Sequence, residues 1–418
     1  MSLLEARHPK AIDLGLERCR EVWERLGAPR IAPRTFVVAG TNGKGSTVAT
    51  ICGLLDGLGY RYGSYTTPHL YRYNERVQVG RSAVGDGALL DAFDRVEAAR
   101  GDTSLTYFEF GTLAAFCILA DAQPEFAVLE VGLGGRLDAV NLVDADCAVI
   151  TPIGLDHQEY LGNDRESIGR EKAGIIRRGR PVVCGDEAPP ASVREVAAHL
   201  DAPLLCYGRD FGVERLAASL RYRFGERVLD LPLPTLPGSH QPANLATGLT
   251  AVLTLVPEAA ADIEGLRRGL RSVRLPGRFQ KMREQPSLWI DVGHNPLAAD
   301  AVAASLRELR SEGAIRRCRC VLATLADKDA AGVAGALAGV VTDWYCAPTA
   351  GSRGQTAQAL ADRIRPAPGV SAPRVFDSVA GALEAALADS EATDGVLVFG
   401  SFLTAAEAGR HLIGSEIS

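Results

Sequence analysis

One short stretch constrains the fold more than any other. Thr35-Phe36-Val37-Val38-Ala39 reads as a buried strand and runs straight into Gly40-Thr41-Asn42-Gly43-Lys44-Gly45-Ser46-Thr47. From Ser46 to about Leu58 the residues then suit a helix. A strand, a glycine-rich turn and a helix N-terminus together make an anion site: backbone N–H groups converge on it and the helix dipole favours negative charge. Glycines let the backbone approach where a Cβ would block it. Lys44 has the reach for the β- and γ-phosphates of a nucleotide, and Ser46 or Thr47 can offer a hydroxyl to Mg²⁺. The run departs from strict G-x-x-x-x-G-K-[ST]: Val38 stands at the first glycine, and Gly45 separates Lys44 from Ser46. An ordinary strand-to-helix turn with an accidental lysine is the alternative. The flanking strand and helix favour the phosphate loop.

The rest of the chain continues in the same style. Phe126–Val131, Cys147–Thr151 and Pro181–Cys184 are continuous apolar runs, suited to a parallel sheet covered on both faces. Helix-like stretches alternate with them, which indicates an α/β fold. At 418 residues the chain is too long for one ordinary core, so two domains are expected. Leu275-Pro276-Gly277-Arg278-Phe279-Gln280 interrupts the periodicity and reads as the connection. A second α/β series follows: a strand at Leu288–Val292, a helix from Leu297 to about Leu309, and strands at Cys320–Ala323 and Gly395–Gly400. The expectation is an N-terminal P-loop ATPase domain over 1–276, with a mostly parallel sheet, and a C-terminal Rossmann-like α/β domain over 277–418.

Composition excludes several classes. A net charge of −6 argues against a nucleic-acid partner, although a local cationic pocket can still take an anionic substrate. No uncharged apolar stretch reaches the roughly 18–20 residues that span a bilayer, and the N-terminus does not resemble a signal peptide. The nine cysteines are scattered and none forms Cys-x-x-Cys, so structural zinc is not expected and a reducing cytoplasm is.

Several polar residues fall at strand ends, where doubly wound sheets bind ligands. Glu130 closes an apolar strand, and Asp156-His157 follows the next one. Mg²⁺ needs only one or two carboxylates besides phosphates and water. His157 is an unusual ligand for it, and would also admit Mn²⁺; alone it reads as a hydrogen-bonded loop histidine. Thr67 could add a hydroxyl, or belong to a plain turn before Pro68. Lys172 lies in a charged helix, Arg165 to Gly174, and on sequence alone is a solvated surface lysine. Asp291, at the end of the Leu288 strand, is placed to accept hydrogen bonds from a ribose; a turn or N-cap role is the alternative.

Taken together these residues resemble the folylpolyglutamate synthase/dihydrofolate synthase family, a branch of the Mur ligase superfamily. The likeness runs through Asp13-Leu14-Gly15-Leu16-Glu17-Arg18, Gly40 to Thr47, Thr67 to Arg76, Leu129 to Asn141, Leu155-Asp156-His157, Ile168 to Ile175, Leu275 to Phe279 and Asp291 to Pro296. It implies a Mur ligase-like ATP-binding domain followed by a glutamate ligase domain. It also implies an ATP-dependent ligase that phosphorylates a pterin-linked carboxylate and joins L-glutamate to the acyl phosphate. Gly43, Lys44, Gly45 and Ser46 would hold the phosphates, with Asn244, Arg278 and Asp291 on the nucleotide from the linker and second domain. Thr67, Glu130 and His157 would bind Mg²⁺; the family usually has Ser where Thr67 stands. Lys172 would be a carbamate, ligating a second Mg²⁺; the family often uses K⁺ as well. Lys44, Glu130, His157 and Lys172 are thereby the expected catalytic set. Members that accept 7,8-dihydropteroate bind it with segments matching Asp13, Leu14, Gly15 and Leu16; Thr106, Tyr107, Phe108 and Glu109; and Leu137, Asp138 and Ala139. A bifunctional enzyme is therefore expected, making dihydrofolate and then extending tetrahydrofolates with γ-linked glutamates. A monomer acting on small molecules alone is expected.

Three alternatives stay open. One is folylpolyglutamate synthesis alone. Another is a cell-wall Mur ligase, which normally carries an extra N-terminal domain for which the position of Gly40 leaves no room. The last is a P-loop ATPase switch, which would need no second α/β domain.

Overall fold

The computed structural model describes residues 12–416, which form two compact units. The first comprises the chain up to Thr235 together with Pro242–Arg274; the second comprises Leu236–Gln241 and the chain from Leu275 onward. The expected division at 276/277 did not anticipate the Leu236–Gln241 excursion.

The first unit is built on eight strands: β1 (Arg34–Ala39), β2 (Tyr62–Tyr65), β3 (Val77–Val79), β4 (Ser82–Ala83), β5 (Phe126–Glu130), β6 (Cys147–Ile150), β7 (Val182–Cys184) and β8 (Leu204–Cys206). They lie in the order β4-β3-β2-β5-β1-β6-β7-β8. From β2 to β8 all neighbours are parallel, and only the β2–β3–β4 edge is antiparallel. Alternate residues of β1 point to opposite apolar layers. Val37 and Ala39 face the helices Glu17–Arg25, Asp86–Arg100 and Tyr107–Ala122; Phe36 and Val38 face Lys44–Gly57, Gln241–Leu255 and Ile263–Ser272. A sheet covered on both faces needs no polar alternation, which is why its strands read as unbroken apolar runs.

The Lys44–Gly57 helix packs on Ile263–Ser272 through glycines. A Cβ on Gly57 would come within 2.3 Å of the Gly265 carbonyl, and one on Gly269 within 2.4 Å of the Gly53 carbonyl. A small antiparallel sheet, β9 (Phe211–Arg215), β10 (Ser219–Phe224) and β11 (Arg227–Pro232), adds Phe211, Leu220 and Tyr222 to that layer.

The second unit has six strands, in the order β12 (Gln280–Arg283), β13 (Ser287–Ile290), β17 (Gly395–Phe399), β14 (Cys318–Leu322), β15 (Val341–Cys346) and β16 (Arg374–Val375). All are parallel except β12. The expected α/β class with mostly parallel sheets is what both units have. No helix among the described residues is long and apolar enough to cross a membrane.

Candidate functional site

The strand order places β1 between β5 and β6, with its chain continuing toward β2 and that of β6 toward β7. Connections that leave in opposite directions open a crevice at the carboxyl ends of the strands. Register keeps those ends level: Val38 lies opposite both Glu130 of β5 and Val149 of β6.

Into this crevice runs the glycine-rich turn. Gly43 caps the Lys44–Gly57 helix in the left-handed region, with φ 86°. A Cβ there would meet the Asn244 side-chain oxygen at 2.5 Å, so glycine is required by conformation and by space. Asn244 itself lies in the Gln241–Leu255 helix and in the first unit, which corrects its assignment to a linker. At the other end of the turn, a Cβ on Gly40 would overlap Thr151 Oγ1 at 1.7 Å. Thr41 pins the turn to the segment after β6: its N–H donates to Pro152 O and its hydroxyl to Gly154 O, both at 3.0 Å. Gly45 and Ser46 lie buried in the first helical turn. Thr47 is fully buried there, and its Oγ1 has no hydrogen-bond partner.

Lysines converge on the turn. Lys44 Nζ donates to the carbonyls of Gly40 (3.0 Å) and Thr41 (3.1 Å). Lys172 Nζ, from the Arg165–Ala173 helix, donates to the same Gly40 carbonyl at 2.9 Å. Lys172 is 3% exposed, so the solvated-surface reading of that residue is wrong: the helix turns this side chain inward to the turn. Burial pushes its ammonium down to about 7, the Lys44 charge adds to this, and Asp156 and Asp138 oppose it.

Glu130 is buried, and its Oε2 accepts the Thr67 N–H at 3.2 Å. Thr67 precedes a cis peptide to Pro68 and is half-buried. His157 is half-buried and takes the left-handed conformation, φ 51°, and its N–H donates to Asp156 Oδ1 at 2.9 Å. Thus Glu130 and Thr67 are in contact, and His157 follows β6, across β1 from β5, at the same end of the sheet. No group of three or more His, Cys, Asp or Glu side chains able to hold a metal occurs among the described residues. The donors are instead a few hard oxygens that suit Mg²⁺ beside a phosphate, namely a buried carboxylate and threonine hydroxyls including the orphaned Thr47 Oγ1, with one imidazole nitrogen beside them. Those residues fit a divalent cation.

The segments matched to dihydropteroate gather around the Tyr107–Ala122 helix. Thr106 and Glu109 form a capping box at its start, with Thr106 N donating to Glu109 Oε2 at 2.7 Å. Phe108 covers Gly132, where a Cβ would strike its ring at 2.5 Å. Tyr107 packs edge-on against Tyr73. Asp138 is buried between Leu137 and Ala139, receiving the N–H groups of Leu133 (2.8 Å) and Val140 (2.9 Å). Desolvation nonetheless raises its carboxyl to about 7, with those N–H bonds and Lys44 pulling the other way. Asp13 pairs with Arg18 at 2.7 Å, and Leu14, Gly15 and Leu16 form the half-buried lead into the Glu17–Arg25 helix.

In the second unit, Asp291 follows β13 and is 7% exposed. Its Oδ2 accepts the Phe279 N–H (2.7 Å) and its Oδ1 the Gly293 N–H (2.6 Å). Burial pushes this carboxyl up, against the pull of Arg278, the two N–H groups and His240. Arg278 lies over the Phe402 ring at 5.1 Å. His240 is driven toward its neutral form by burial and by Arg278, with Asp291 opposing. Its Nδ1 is buried without a partner. Sequence reasoning missed His240 because it belongs to the Leu236–Gln241 excursion, far in sequence from Asp291. The glycine and proline around it, in Pro237-Gly238-Ser239-His240, were the available signal.

Comparison with known proteins agrees with this fold. The model of the Mur ligase middle domain matches residues 38–251, and that of the Mur ligase glutamate ligase domain matches 277–402. The chain is 46% identical over 407 residues to the dihydrofolate synthase/folylpolyglutamate synthase of Escherichia coli (strain K12), covering 97% of this chain and 93% of that protein. It is similar to a structure of E. coli FolC in complex with DHPP and ADP, with a TM-score of 0.91 and 43% identity, across 100% of this chain and 97% of the other. A bifunctional folylpolyglutamate synthase/dihydrofolate synthase from Yersinia pestis, complexed with AMPPNP and Mn ion, gives a TM-score of 0.89 at 42% identity, with the same coverage.

Proposed function

Because the chain belongs to the dihydrofolate synthase/folylpolyglutamate synthase family of Mur ligases, we propose that it joins L-glutamate to 7,8-dihydropteroate, and further γ-linked glutamates to tetrahydrofolates, at the cost of ATP. The observation that carries this reading is the convergence of Lys44 and Lys172 on Gly40, at a sheet end that also holds Glu130 and Thr67.

The chemistry follows from what a carboxylate lacks. It is a poor electrophile until an oxygen becomes a leaving group, so the γ-phosphoryl of ATP is transferred to it, giving an acyl phosphate and ADP. The neutral amine of glutamate attacks the carbonyl carbon, and the tetrahedral intermediate expels phosphate while the nitrogen releases its proton. Gly43, Gly45 and Ser46 bind the phosphates through the helix N-terminus. Lys44 leaves its backbone carbonyls to offset the charge on the transferred group. Asn244, close against Gly43, takes the nucleotide together with Arg278 and Asp291. Thr67, Glu130 and His157 hold the divalent cation, which when bound supplies charge neutralisation on the phosphoryl oxygens.

Lys172 has the property a carbamate needs, an amine held down near neutrality. The ammonium first gives up one proton; uptake of CO₂ by the neutral amine then forms the N–C bond and releases a second, so that a buried cation becomes an anion with two oxygens for a second cation. The 1–276 portion acts as the ATP-binding part and 277–418 as the glutamate ligase part. A reducing, cytoplasmic setting is consistent with nine cysteines that are all buried and free. The test is product analysis by mass spectrometry, with dihydropteroate and tetrahydrofolate offered separately. Mass increases of one glutamate on both acceptors are expected, and an increase on neither would overturn the reading.

A further inference from the structure

Asp13 and Glu109 lie in separate segments of the proposed dihydropteroate site, 96 residues apart in the chain, and a single side chain joins them. Arg18 Nη1 donates to Asp13 Oδ2 at 2.7 Å, and Arg18 Nε donates to Glu109 Oε2 at 2.9 Å. A further Arg18 nitrogen bonds the Asp13 carbonyl. One planar guanidinium thus fixes both the side chain and the backbone of Asp13 relative to the Tyr107–Ala122 helix.

The third segment is near by: Cys19, the next residue, is fully buried, with its thiol pushed up by burial and by the carboxylates of Glu109 and Asp138. Glu109 is 5% exposed at its side chain and already engaged with Thr106, so its position is set; Arg18 passes that position on to Asp13. The Asp13–Leu16 stretch is coil and carries no regular backbone ladder of its own. A charged fork ties it to the helix.

We propose that Arg18 is a positioning residue that makes the site competent for dihydropteroate, by clamping Asp13–Leu16 onto Glu109. It lies outside the turn, the cation donors and the nucleotide residues, so tetrahydrofolate extension depends on it far less. This rests on the reading that these segments take dihydropteroate.

The test compares Arg18→Lys and Arg18→Ala with the unaltered full-length enzyme, using both acceptors at saturating ATP and L-glutamate. Lysine keeps the charge but not the fork. The expected result is a KM for dihydropteroate raised about tenfold or more in both variants, the loss of charged hydrogen bonds, with kcat little changed. For tetrahydrofolate, kcat/KM stays within about twofold. Because Arg18 is partly exposed, added ethylguanidinium restores part of the dihydropteroate KM in Arg18→Ala, which a folding defect would not allow. Equal losses with both acceptors, or no change with either, overturn the clamp. An unaltered enzyme that extends tetrahydrofolate but ignores dihydropteroate overturns the underlying dual-acceptor reading instead, and the clamp with it.

Discussion

Lys44 and Lys172 share one acceptor, the carbonyl oxygen of Gly40, at 3.0 and 2.9 Å. Burial pushes Lys172 down to about 7, and the repulsion between two ammonium groups so close adds to it. Lys172→Ala should lower turnover by about 10²-fold or more, and acetate or formate should restore part of it by replacing the carbamate oxygens. In the unaltered enzyme, ¹³C-labelled bicarbonate should give a carbamate resonance that Lys172→Ala lacks. Its absence in active, fully liganded enzyme would count against the modification.

Lys44 makes a different demand. It is half-buried and donates to the neutral backbone carbonyls of Gly40 and Thr41. Lys44→Ala should reduce turnover by about 10³-fold or more while leaving thermal unfolding nearly unchanged. Near-normal turnover in this variant would remove the phosphate-loop assignment.

Asp138 predicts a pH effect on stability. Its folded carboxyl sits at about 7, above the ordinary value of 3.8. Between those two values the folded chain keeps a proton that the unfolded chain releases. Stability therefore falls as pH rises from about 4 to about 7, and the full cost of the buried charge is present above 7. Asp138→Asn removes this dependence. Denaturant titrations of the ligand-free protein from pH 5 to 8 should show a flatter stability profile for the variant, even if its absolute stability is lower. An unchanged slope would contradict the shift.

The cation donors predict graded losses. Chelation should abolish turnover, and Mg²⁺ or Mn²⁺ should restore it, since oxygen donors with one imidazole admit both. Thr67→Ser keeps the hydroxyl and should retain most activity. Thr67→Ala should weaken Mg²⁺ dependence by about tenfold, read as the metal concentration giving half-maximal rate. Equal activity of the two variants would exclude the Thr67 hydroxyl as a ligand.

Much of this architecture is legible in sequence, and the reason is physical. Strands buried on both faces, such as Phe36–Ala39 and Phe126–Leu129, become unbroken apolar runs, and their ends are marked by glycine or a carboxylate. The β9–β11 sheet carries another signal, strict alternation in Leu220, Arg221, Tyr222 and Arg223, and a search for continuous runs passes over it. Lys172 shows the limit more sharply. Local composition, Arg165-Glu166 and Arg170-Glu171 around it, describes a solvated helix, and only the tertiary docking of that helix decides which one of its charges is buried. His240 escaped notice for a related reason: its neighbours Asp291 and Arg278 are supplied by a distant part of the chain.

The central claim is that phosphoryl transfer is coupled to an acceptor carboxylate and to glutamate. Phosphate release from ATP, measured with dihydropteroate or tetrahydrofolate and with or without L-glutamate, tests it most directly. The account predicts release that requires an acceptor, is sustained only with glutamate, and matches product one to one. Release at the same rate with no acceptor and no glutamate would identify a plain ATPase and contradict it.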